Sequence, residues 1–130
     1  MGSQTHLAYI DSDLKQAPAA KLLREAVSFM DQEKIAIGSI SHSLLPFSAD
    51  LVSRKGRNVT CAHNIICDVK NANANILTSS NQNVDAHKDC FLVTAKRPGT
   101  AEGFNHIFLE CLAEIKSIKI EGDFIMKPLE

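Results

Sequence analysis

Tryptophan is missing from this 130-residue chain, tyrosine occurs once (Tyr9) and phenylalanine six times. Single-stranded nucleic acids are commonly held on exposed aromatic platforms, and a chain with so few rings has little from which to build one. Long apolar runs are lacking as well. No stretch of about 18 apolar residues is present, so no membrane span and no membrane partner are expected. The N-terminus has no basic start followed by an apolar core, so no secretory signal is read. Met1-Gly2-Ser3 reads as a cloning remnant, and residues 1–5 as a disordered or vector-derived lead.

An excess of one charge is also absent. Fourteen Lys and Arg face fifteen Asp and Glu, for a net charge of −1. Such a chain has no long-range pull on nucleic acid or on an anionic membrane, so any such contact must rest on a local patch. Cysteine occurs four times (Cys61, Cys67, Cys90, Cys111), with no CxxC pair. Three lie in apolar surroundings, which suits free buried thiols in a reducing, cytoplasmic compartment. With no signal peptide read, the sequon Asn58-Val59-Thr60 is taken as chance.

The apolar content is 45%, ordinary for a globular protein. A chain of this length buries roughly two-thirds of its unfolded surface, enough for one core without staples. One domain over residues 1–130 is expected.

The most unusual stretch runs from Asp68 to Asp89. It carries Asn71, Asn73, Asn75, Asn81 and Asn83 with Thr78, Ser79, Ser80 and Gln82, and has neither Gly nor Pro. It is long for a connection and polar for a core strand. Ala72, Ala74 and Ile76 alternate with asparagines, the period of a half-exposed strand. The expectation is a long hairpin: one arm from Val69 to Leu77, a turn over Thr78–Asn83, and a return from Val84 to Asp89. Its distal half would extend beyond the core, open to a partner or a second subunit.

Elsewhere His6–Ile10 reads as a strand broken by Asp11-Ser12-Asp13. A helix is expected from Ala17 to Glu33, with Pro18 in its first turn and Leu22, Ala26, Phe29 and Met30 at helical spacing. A strand from Ile35 to Ser41 follows. Pro46 bars its segment from a central strand, Leu51-Val52 reads as an edge strand, and Ser53–Asn58 as a basic turn. Val59–Val69 and Cys90–Thr94 read as apolar strands. Phe104, Ile107, Phe108, Cys111, Leu112 and Ile115 form one apolar helical stripe, with Thr100 as its N-cap. Ile118 and Ile120 alternate with charges as a last strand, and Glu121-Gly122-Asp123 reads as a turn. Together these give an α+β domain: an antiparallel sheet backed by two helices, of the split β-α-β (ferredoxin-like) type, with an extended β-hairpin.

The candidate sites are few. Lys96-Arg97-Pro98-Gly99-Thr100 runs into a helix start, where free N–H groups, Gly99, the Thr100 hydroxyl and two cations could hold a phosphate or carboxylate. An ordinary strand-to-helix turn with solvated cations is the plainer reading of these residues, and Glu102 would repel an anion. Arg54, Lys55 and Arg57 form a second basic turn that could join it in a patch for phosphate backbones; a solubilising loop tip is the plainer reading. Cys61, His63, Cys67, His87 and Cys90 are zinc-type donors. Along a strand, however, Cys61 and Cys67 would lie about 20 Å apart, so no metal site is assigned. Ser41-His42-Ser43 and His87-Lys88-Asp89-Cys90 place nucleophile and base types side by side without a nucleophile elbow. Asp11 and Asp13 serve as turn formers.

No motif assembles a catalytic, metal or cofactor site. The sequence therefore favours a non-catalytic binding or regulatory module, self-associating through sheet edges. The alternative is a small enzyme acting on an anionic ligand at the Lys96–Thr100 turn. A third reading is nucleic-acid backbone binding through Arg54, Lys55, Arg57, Lys96 and Arg97.

Overall fold

The computed structural model describes residues 18–44 and 56–126. The expected strands His6–Ile10 and Leu51-Val52, with Asp11, Asp13, Pro46, Arg54 and Lys55, lie outside the described residues.

Helix α1 (Pro18–Asp31) opens on proline, whose missing N–H and fixed φ suit a first helical position. Its buried side is Val27 and Met30, with Leu23 packed beside them. Leu22 and Phe29, expected on that stripe, are 56% and 40% exposed. The core stripe is thus rotated from the one read in the sequence. The helix ends in a Schellman motif: Glu33 N–H donates to Met30 O (2.9 Å) and Lys34 N–H to Phe29 O (3.0 Å), with Glu33 at φ 62°.

Strand β1 (Ile37–Ile40) follows. It pairs in parallel with β7 (Leu92–Ala95), which pairs antiparallel with β6 (Ala86–Asp89). The order is β1-β7-β6. All four residues of the central strand are buried, as expected for a strand covered on both faces. Side chains paired across a sheet share a face. Gly38 and Lys88 both pair with Val93. Helix α3 (Ala101–Met126) covers that face: Phe104 and Phe108 sit over Gly38, and Lys88 pairs with Glu114. Leu92 and Thr94 face the other way. There Thr60 N–H donates to Thr94 Oγ1 (2.9 Å), and Asn58 N–H to Asp89 Oδ2 (2.7 Å).

This second layer is a short β-α-β unit. Strand β2 (Asn58–Val59) leads through a 3₁₀ turn (His63–Ile65) into α2 (Ile66–Asn71), then into β3 (Asn75–Ile76), parallel to β2. The apolar strand expected over Val59–Val69 is therefore mostly helical. Ile65 and Val69, one helical turn apart, are the buried residues of its helical part. Asn73, at φ 67°, ends α2 in a second Schellman motif, with Asn73 N–H on Lys70 O (2.9 Å) and Ala74 N–H on Val69 O (3.3 Å). The extended arm expected from Val69 to Leu77 is not formed, and assembly through a protruding hairpin loses its basis with it.

A smaller hairpin stands there instead. Strands β4 (Thr78–Ser79) and β5 (Gln82–Asn83) flank Ser80-Asn81, both at positive φ (52° and 63°), the signature of a type I′ turn. The turn expected over Thr78–Asn83 thus carries its own short ladder. β6 and β7 are joined by Cys90-Phe91; Cys90, read as part of a strand, sits in the turn at φ 53°.

Helix α3 holds the expected core residues Phe104, Ile107, Phe108, Cys111 and Ile115, while Leu112 is exposed. It continues without a break through Ile118, Ile120 and Gly122, so the closing strand and turn read there are helical. The described residues form a mixed α and β structure of three helices and small sheets, compatible with the α+β class. The expected mostly antiparallel sheet is mixed, and its ferredoxin-like split is not confirmed. No described helix is long and apolar enough to cross a membrane.

Candidate functional site

A cleft of about 490 Å³ opens where five segments meet, a volume within the range of small-ligand sites. The 3₁₀ turn gives His63. Helix α2 gives Ile66 and Lys70, one turn apart on one face. β3 gives Ile76, and the β4–β5 hairpin gives Thr78, Asn81, Gln82 and Asn83. Lys96, directly after β7, completes the wall. Two isoleucines thus stand among two lysines, a histidine, a hydroxyl and three amides. Among the described residues no carboxylate lines the cleft.

Lys96 is half-buried and fixed by its backbone N–H, which donates to Asp85 O (2.8 Å). The hairpin is held by Val84 N–H on Leu77 O (3.1 Å) and by Asn83. The Asn83 side chain donates from Nδ2 to Cys61 O (2.5 Å) and lies 3.4 Å from Thr60 Oγ1. The Thr60 hydroxyl in turn donates to Val84 O. Asn83, Thr60 and Thr94 form a buried polar chain from the cleft wall to the central strand. In such a chain each satisfied group fixes the next. Cys61, fully buried beside it, has its thiol pushed from 9.0 up to about 11 by burial, the mark of an inert structural thiol.

The residues singled out in the sequence are distributed differently. Of Lys96, Arg97, Gly99 and Thr100, only Lys96 lines the cleft. Arg97 and Gly99 are exposed. The Thr100 hydroxyl donates to Arg97 O (2.7 Å) inside the 3₁₀ turn Pro98–Thr100, which precedes α3. Arg57 is no exposed loop cation: it is buried and ion-paired with Asp31 (2.8 Å), tying β2 to the end of α1.

Cys61 and Cys111 are buried, whereas Cys67 and Cys90 are exposed. Among the described residues no three His, Cys, Asp or Glu side chains come together as a metal site. In the 41–44 turn, Ser43 Oγ donates to Ile40 O (2.7 Å) and accepts from Ile40 N–H (2.8 Å), while Ser41 Oγ lies 3.1 Å from His42 Nδ1. Ser43 is thereby engaged with backbone. Lys88 is raised above its ordinary value, chiefly by its hydrogen bond to Glu114.

His63, Lys70 and Asn83 drew no attention as a ligand set in the sequence. They lie in three segments, and only the β-α-β crossover and the hairpin bring them beside Lys96. No protein-family model matches the chain, and no curated protein matches it.

Proposed function

We propose that the protein is a binding module for a small organic anion, held in the cleft of His63, Lys70, Lys96 and the β4–β5 hairpin. One observation carries this reading: two lysines and a histidine from separate elements line one cleft that, among the described residues, no carboxylate shares. Cations gathered in a concave, partly apolar site attract an anion more strongly than the same charges on open surface. Thr78, Asn81 and Gln82 add neutral hydrogen-bonding groups suited to phosphate or carboxylate oxygens. Ile66 and Ile76 offer apolar contact to a carbon skeleton. Among the described residues no serine, cysteine or carboxylate lines the cleft beside His63, so the reading is binding rather than turnover.

Isothermal titration with glycerol 3-phosphate tests it. Saturable binding at millimolar ligand or below is expected, weakening with added salt. Lys96→Ala and Lys70→Ala should each lower affinity about three- to tenfold, since charge-assisted hydrogen bonds are the stronger kind but are screened here by partial exposure. Arg97→Ala should leave affinity unchanged. Equal losses for Arg97→Ala and Lys96→Ala would move the site to the 3₁₀ turn.

A further inference from the structure

We infer that Asn83 is a specificity residue of this cleft, selecting anions that also carry a hydroxyl or amine hydrogen-bond donor. The inference rests on the cleft reading above and deepens it.

A backbone carbonyl can only accept a hydrogen bond. The Asn83 atom that meets Cys61 O at 2.5 Å is therefore the amide nitrogen. The Thr60 hydroxyl gives its single proton to Val84 O, so towards Asn83 it can only accept, again from Nδ2. Both N–H groups of the side chain are thereby engaged, and both engagements are buried. What remains is Oδ1, an acceptor with no partner among the described residues. Asn83 is only 9% exposed, yet it is a wall residue of the cleft. A carbonyl oxygen left without a donor on a nearly buried side chain is costly, and a ligand that brings one recovers that cost. The polar chain through Thr60 to Thr94 keeps the amide from flipping to offer its donors instead. The ligand class is thus a small hydroxylated or aminated phosphate or carboxylate. A bare inorganic anion, or an alkyl anion of the same length, leaves Oδ1 unmet.

Two matched pairs decide the matter on the unmodified protein. Glycerol 3-phosphate is compared with n-propyl phosphate, and glycerate with propionate, by isothermal titration at fixed salt. The assigned Asn83 side-chain amide signals are followed by ¹⁵N–¹H spectra in the same titrations. The hydroxylated member of at least one pair should bind about three- to tenfold tighter, the worth of one neutral hydrogen bond. It should also shift the Asn83 amide signals where its partner does not. Lys96→Ala should weaken both members alike and leave their ratio intact. Equal affinity within both pairs overturns the role of Asn83 while leaving an anion cleft in place. Tighter binding without a shift at Asn83 overturns it too, because the donor is then met elsewhere. Absence of binding by all four compounds overturns the cleft reading and this inference together.

Discussion

Glu33, Ser41, Asn73, Ser80, Asn81 and Cys90 all hold a positive φ without being glycine. Asparagine tolerates this region because its short side chain can bond locally, whereas glutamate bears the full steric cost. Glu33 sits where helices usually place glycine. Glu33→Gly should therefore stabilise the protein by about 1 kcal/mol, read as a higher urea midpoint at unchanged slope. The thiols offer a second residue-scale test. Cys67 and Cys90 should react with a thiol reagent in the native protein, and Cys61 and Cys111 only after denaturation. Burial raises the Cys61 thiol from 9.0 to about 11, so the folded state holds its proton more tightly than the unfolded state. The stability gained from that difference is complete below pH 9 and fades as pH rises through about 11. Cys61→Ser should remove this alkaline loss in urea melts taken between these limits.

At the scale of elements, β1 meets α3 closely at Gly38. A Cβ on Gly38 would come 2.5 Å from Phe104 Cζ and 3.3 Å from Phe108 Cε2. Phe104 is itself buried and stacked on Phe108 (5.7 Å between centroids), so its ring has nowhere to go. Gly38→Ala should cost about 1–3 kcal/mol in urea unfolding, the usual price of overpacking. Gly122, with open space where its Cβ would be, should do the reverse. Gly122→Ala is expected to add about 0.5–1 kcal/mol through helix propensity. Two of the three helices were legible in part: the α3 stripe and the span of α1 could be read, although the buried side of α1 was not the one its spacing suggested, and α2 was read as a strand. Of the strands, β1 was legible within Ile35–Ser41 and most of β7 within Cys90–Thr94, whereas the two-residue strands were not. Ile118 and Ile120 alternate like a strand, but Ile115 and Ile118 also stand three apart. Prolonging an existing helix needs no new nucleus, so the helical solution prevails. Val59–Val69 failed for a related reason: Ile65 and Val69 serve a helix face as well as they serve a strand. The alternation of Ala72, Ala74 and Ile76 instead spans a helix cap and a two-residue strand.

For the whole molecule, the cleft joins segments that the sequence keeps apart. Lys96 stood out through its charge and its place before a helix. His63 was read only as a zinc-type donor, Asn83 only as part of a polar hairpin and Lys70 not at all, because their shared place lies in tertiary convergence and not in spacing. Protein purified gently and sprayed from ammonium acetate should show a small-anion adduct that Lys96→Ala loses, as native mass spectrometry can read directly. The placement of β7 reaches further, into the order of events during folding. The central strand meets β6 through a two-residue turn, yet its parallel partner β1 lies more than fifty residues away in the chain. Closing so long a loop must await contacts that reward it. The β6–β7 hairpin and α3, contiguous in sequence, should therefore assemble first, with β1 and α1 docking late. In kinetic terms, core substitutions at Val93 or Phe104 should slow refolding, whereas those at Val27 or Met30 should chiefly speed unfolding.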